Sequence, residues 1–160
     1  MRIGIGYDVH RLEAGRELWL GGVQIPHQTG TLGHSDGDVL IHAICDALLG
    51  ALSLGDIGVY FPDTSEEFRD IRSTILLERT FQLIRDNGFA LVNLDSTLVL
   101  EKPKIKDHIP LMQEILAGIL QTGTDRISIK ATTSEKLGFT GRGEGVAAYA
   151  VVLLEALDKA

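Results

Sequence analysis

The chain opens on a strict alternation. Ile3, Ile5, Tyr7 and Val9 share one face of an extended segment, and Gly4, Gly6, Asp8 and His10 share the other. Successive side chains of a strand leave opposite faces, so the pattern predicts a strand over residues 3–10. Two short apolar stretches, 17–20 and 23–25, meet at Gly21-Gly22 and predict a hairpin. A loop rich in Gly and Thr follows over 27–33. Ser35 then reads as the N-cap of a helix running to about residue 52, with Asp36 and Asp38 suited to its positive end. Val39, Ala43, Ala47 and Ala51 line one stripe of that helix; Asp38, His42 and Asp46 line another.

Residues 54–64 read as a loop of Gly, Asp and Pro, and a second amphipathic helix is predicted over 71–87, closed by Gly88. A strand over 89–100, a third helix over 106–120 and a strand over 126–131 follow. Residues 132–145 form a polar, Gly-rich loop. The last predicted strand, 146–157, is apolar on both faces and so belongs in the centre of a sheet or against a partner chain. The expected architecture is α/β (α+β), one domain over 1–160, with a mainly four-stranded mixed sheet covered by three helices and a small hairpin.

Composition narrows the class. At 160 residues the chain suits one core and falls short of two ordinary domains. A hydrophobic content of 44% with 23% charged residues is that of a globular protein. The longest apolar run is too short to cross a membrane, and the alternating pattern at the first residues leaves no room for a leader. Cys45 is the only cysteine, which excludes an intrachain disulfide and fits a reducing, cytoplasmic setting. It reads as a small buried hydrophobe. A net charge of −7 argues against a nucleic-acid partner. It leaves room for a phosphorylated small molecule near Lys102, Lys104 and Lys106.

Candidate chemistry concentrates early in the chain. Asp8 and His10 leave one face of a strand, and the glycines before them are expected to leave open space beside it. With His42 they form a three-ligand set for zinc or a similar divalent ion, with a fourth position free. Taken singly, each is also an ordinary solvated or satisfied side chain. Asp46 either holds the His42 ring or caps backbone. His34 and Ser35 stand where a helix end attracts anions, unless Ser35 serves only as a cap. Thr132, Thr133, Ser134 and Glu135 offer oxygens to a diphosphate and a hard cation, or simply cap a turn. The run 141–145 precedes a strand, so a dinucleotide-binding reading fails; Arg142 faces an interface or an anion site.

Several segments in order carry a more specific signal. They are Ile5-Gly6-Tyr7-Asp8-Val9-His10, Gly33-His34-Ser35-Asp36-Gly37-Asp38 with His42, Leu54-Gly55-Asp56-Ile57-Gly58, Phe61-Pro62-Asp63-Thr64, and the run 130–145. Along essentially its whole length the chain resembles the 2-C-methyl-D-erythritol 2,4-cyclodiphosphate synthases of non-mevalonate isoprenoid synthesis. The resemblance implies a lyase that converts 4-diphosphocytidyl-2-C-methyl-D-erythritol 2-phosphate to the cyclodiphosphate and CMP. It implies a homotrimer with active sites between subunits, zinc on Asp8, His10 and His42, and magnesium or manganese near Glu135. His34, Ser35, Asp56 and Gly58 match positions that hold the methylerythritol phosphate part, and Phe61 and Asp63 are further candidate substrate-binding residues. Leu100, Pro103, Lys104 and Lys106, with Thr132 and Thr133, match the cytidine and phosphate pocket of the adjoining subunit. Phe139, Arg142 and Glu144 match the trimer axis, where an isoprenoid-like molecule can sit.

Departures are Val59-Tyr60, where a basic residue often follows, and a loose version of the family's helix start at Asp70-Ile71-Arg72-Ser73. Nothing matches the cytidylyltransferase domain fused to some relatives. Two other readings of the same residues are a zinc-dependent phosphohydrolase and a non-catalytic trimeric binding protein with a structural metal.

Overall fold

The computed structural model describes residues 1–157; the last three residues of the expected domain lie outside them. In chain order come β1 (Arg2–Ala14), β2 (Leu18–Leu20), β3 (Val23–Ile25), β4 (Thr29–Thr31), α1 (Val39–Ala51), α2 (Ile57–Tyr60) and α3 (Ser73–Asp86). Then follow β5 (Phe89–Val99), α4 (Ile109–Ile119), β6 (Ile127–Thr132), α5 (Gly138–Gly141) and β7 (Gly145–Ala156). The main sheet has five strands in the order β4-β1-β7-β5-β6, and β2-β3 form a separate hairpin. Among the described residues only β5 and β6 pair in parallel.

The fifth strand corrects the four-stranded expectation. Strand β1 runs past residue 10 to Ala14, and its end pairs with β4 through Leu12↔Thr31, Glu13↔Gly30 and Ala14↔Thr29. A three-residue Thr-Gly-Thr strand has too little alternation to announce itself. Single-turn helices α2 and α5 sit in the expected loops 54–64 and 132–145 for the same reason. Strand β7 is central, between β1 and β5, as its two apolar faces require.

Helix α1 begins at Val39, three residues later than the Ser35 cap implied. Its cap is Asp38, which is fully buried. Asp38 Oδ1 accepts from Ile41 N at 3.1 Å and Gly21 N at 2.9 Å, while Oδ2 accepts from Gly22 N at 2.7 Å. One carboxylate thus closes the helix end and pins the β2-β3 turn to it. Cys45, fully buried on α1, has its thiol pushed up to about 12, chiefly by burial. That suits a core residue and no reactive role.

The glycine face of β1 is not open space. Helix α1 lies directly on it, so closely that a Cβ on Gly6 would stand 1.9 Å from Ala43 O and 2.8 Å from Ala47 N. A Cβ on Gly4 would stand 1.9 Å from Ala47 O. Alanines on the helix stripe and glycines on the strand are what permit this approach. Since the clash is with backbone, no rotamer relieves it. Gly6→Ala is therefore expected to cost about 4 kcal/mol or more, read as the fall in urea midpoint against the unmodified chain. A loss below about 1 kcal/mol would show that α1 can retreat freely.

The opposite face of β1 carries Ile3, Ile5, Tyr7 and Val9 in the open, with Ile3 and Ile5 each 72% exposed. Neighbouring β7 adds Tyr149 and Val151, opposite Tyr7 and Ile5. The Tyr7 and Tyr149 rings lie 4.9 Å apart. Together these side chains form a contiguous apolar patch on the sheet face.

Candidate active site

Close packing of α1 on β1 places the chemistry. Beyond Gly6 the same strand face presents Asp8 and His10, and beyond Ala43 the helix presents His42. Donor atoms of Asp8, His10 and His42 all lie within 4.8 Å of one another, and each residue is half-buried. His10 Nε2 is 3.0 Å and His42 Nδ1 3.1 Å from Asp8 Oδ2, and the two ring nitrogens are 3.1 Å apart.

The far nitrogens of both rings are occupied. His10 Nδ1 donates to Leu32 O at 3.0 Å, and His42 Nε2 lies 2.9 Å from Ser73 Oγ and 3.1 Å from Ser35 Oγ. Each imidazole can then turn a lone pair toward the centre, as a metal ligand must. Burial alone would raise the Asp8 carboxyl, but hydrogen bonds and charge from the two histidines hold it well below the usual carboxylate range. Burial alone would lower His10, but the Asp8 hydrogen bond and charge raise it. Two imidazoles and an anionic carboxylate converging on one point fit a divalent cation with an open position.

His10 and His42 line a cavity of about 320 Å³ with His34, Ser35, Phe61 and Asp63. Ser35 is freed for this by the later start of α1. His34 is fixed by a hydrogen bond from Nε2 to Ser65 O at 2.9 Å. Asp56 and Gly58 lie beside the cavity without lining it: Asp56 caps α2, accepting from Val59 N at 3.2 Å, and Gly58 is within that turn. Of the two readings of Asp46, the backbone one holds, because Oδ1 accepts from Ile57 N at 2.8 Å.

A second cavity, of about 210 Å³, gathers Leu100, Pro103, Lys104, Lys106, Thr132 and Thr133. It shares no lining residue with the first. Glu135 belongs to this side, accepting from Thr133 Oγ1 at 2.7 Å, away from the Asp8 cluster. Both Glu135 and Lys136 have positive φ, 53° and 64°, a costly backbone for side chains other than Gly. Glu101 holds it: one carboxylate oxygen accepts from Ser134 N and Lys136 N, each at 3.1 Å. Sequence reasoning passed over Glu101, whose only signal was an acidic residue beside three lysines. Arg142 and Phe139 line neither cavity. Arg142 pairs with Glu144 in the open, at 2.8 and 3.1 Å, and Phe139 packs against Gly145. Among the described residues no helix is long and apolar enough to cross a membrane.

Known proteins of the same kind are numerous. The model of the YgbB family matches residues 1–155. A 2-C-methyl-D-erythritol 2,4-cyclodiphosphate synthase of Geobacter sulfurreducens is 60% identical over 155 residues, covering 97% of this chain and 99% of that one. The bifunctional IspDF of Campylobacter jejuni superposes with a TM-score of 0.94 at 45% identity, over 98% of this chain and 42% of that longer one. A CDP-bound form of a 2C-methyl-D-erythritol-2,4-cyclodiphosphate synthase gives 0.89 at 43% identity, over 96% of this chain and all of that one. On full-length identity, common fold and a site in the matched region, the chain belongs to the YgbB family and is an enzyme.

Proposed function

We propose that the chain is a metal-dependent cyclase, taking 4-diphosphocytidyl-2-C-methyl-D-erythritol 2-phosphate to 2-C-methyl-D-erythritol 2,4-cyclodiphosphate and CMP. The observation that carries the reading is the convergence of Asp8, His10 and His42 at a cavity that His34 and Ser35 also line. Its relatives at 57 to 60% identity bear that synthase name. In the reaction a 2-phosphate oxygen attacks the β-phosphorus, a new P–O bond closes the ring, and the bond to CMP breaks. The nucleophile is already an anion, so the enzyme's task is to bring two anions together in line.

The residues divide that task. His34 and Ser35, with Phe61 and Asp63, hold the methylerythritol phosphate beside the metal ligands, and Asp56 and Gly58 shape the wall behind them. Lys104, Lys106, Thr132 and Thr133 hold the cytidyl diphosphate, with Leu100 and Pro103 against the base; Lys136 stands nearby. Zinc is the ion proposed for Asp8, His10 and His42, and magnesium or manganese for Glu135. Bound cations polarise phosphate oxygens and offset their charge. Since the two cavities are separate, the site is completed by a neighbouring chain, and the exposed apolar face of β1 and β7 is the surface proposed to join three copies. Phe139 and Arg142 then border the axis, where an isoprenoid-like ligand has room. A cytoplasmic setting agrees with the single buried Cys45.

The test is incubation with the cytidyl diphosphate substrate and magnesium, followed by phosphorus NMR. A cyclic diphosphate and equimolar CMP are expected. Linear phosphates carrying solvent oxygen would overturn the cyclase reading in favour of hydrolysis, and unaltered substrate would leave only a binding protein.

A further inference from the structure

Behind His42 runs a chain of polar contacts that none of the proposed substrate or metal positions uses. Ser73, the first residue of α3, is fully buried. Its hydroxyl donates to Asp36 Oδ1, and its backbone N–H donates to Asp36 Oδ2 at 3.0 Å. Arg72 Nε donates to the same Oδ2 at 3.1 Å, and the Arg72 guanidinium lies 3.4 Å from the centre of the Trp19 ring. Asp36 is therefore an acceptor on both oxygens, with a carboxylate only 6% exposed.

This leaves the Ser73 oxygen one role toward His42. Its single hydrogen is committed to Asp36, so at 2.9 Å from His42 Nε2 it can only accept. The hydrogen between them has to sit on Nε2. When a cation displaces the proton that His42 Nδ1 shares with Asp8, the hydrogen held on Nε2 leaves Nδ1, on the other side of the ring, to supply the lone pair that faces Asp8 and His10. We infer that Ser73, backed by Asp36, is the positioning residue that fixes the His42 tautomer and ring orientation for metal binding. The inference rests on Asp8, His10 and His42 being the metal centre. Ser35 Oγ, 3.1 Å from the same Nε2, is a weaker support: it also accepts from Gly37 N and faces the substrate cavity. Ser73 does not line that cavity.

Metal-free Ser73→Ala and unmodified protein are compared for zinc affinity by competition with a chromophoric chelator. CDP affinity and melting temperature are measured on the same samples. Loss of a hydrogen bond that orients a ligating histidine typically weakens metal binding about 10- to 100-fold. Zinc affinity is expected to fall in that range while CDP affinity stays within about twofold, a split that general loosening of the fold does not produce. Should Ser73→Ala fail to fold, Asp36→Asn is read against the same range. Its amide puts an N–H where the carboxylate now meets only donors. Zinc affinity within about twofold of the unmodified protein overturns the positioning role and leaves the metal centre standing. If the unmodified chain binds zinc no more tightly than Asp8→Asn does, the metal centre itself falls and the inference with it.

Discussion

Replacing His42 by Ala is expected to strip the metal centre and to lower turnover on the order of 10³-fold. The reason is geometric. Asp8 and His10 come from one strand, two residues apart, and can fill only two corners of a four-cornered shell. His42 is the third corner, and it is the one that α1 brings across the glycine face of β1. Losing it should weaken zinc binding by more than the factor of about 100 that marks loss of a supporting hydrogen bond. Alanine is the best helix former and His42 is only half-buried, so α1 itself should survive. Far-UV circular dichroism of the variant should overlay that of the unmodified chain. Metal analysis after gel filtration and initial rates of CMP release provide the check. Normal zinc content with normal turnover would take His42 out of the site altogether.

The meeting of Asp8, His10 and His42 was legible in the sequence because the three residues belong to strongly patterned elements. Alternation over residues 3–10 fixed the face of Asp8 and His10, and the 3.6-residue period placed His42 on the polar stripe of α1. The reason for their meeting was misjudged. The glycines before Asp8 suggested a gap, whereas they admit the helix that delivers His42. The misplaced cap had a similar origin. Ser35, Asp36 and Asp38 are all good caps, and local preference cannot rank them. The choice is tertiary: Asp38 is also needed by Gly21 N and Gly22 N, while Ser35 and Asp36 are needed around His42. Asp46 was offered the role behind His42 from i, i+4 spacing, yet Ser73 holds that position from α3. A contact across 31 residues of chain leaves no periodic trace. The same holds for Glu101, which stabilises a loop 33 and 35 residues away.

A single lysine on the exposed sheet face is expected to separate the two functions of the chain. Ile5 sits mid-strand in the apolar patch and is 72% exposed, opposite Val151 on β7. In the isolated chain Ile5→Lys places an ammonium in water, which costs little. In the proposed trimer three such charges would be driven into one dry interface, at several kcal/mol each. Sedimentation velocity should therefore show monomer, against the trimer expected of the unmodified protein, with unchanged circular dichroism. Zinc should still bind, because Asp8, His10 and His42 all belong to one chain. Turnover should nonetheless fall about 10³-fold or more, because positioning two reactive groups is what such an enzyme supplies. One cavity holds His34 and Ser35, the other Lys104 and Thr132, and they share no wall. A folded, zinc-loaded but inactive monomer would place the division of labour between neighbouring chains. A monomer that turns over normally would mean that a single chain closes the ring unaided, and a variant that stays trimeric would move the interface to another face.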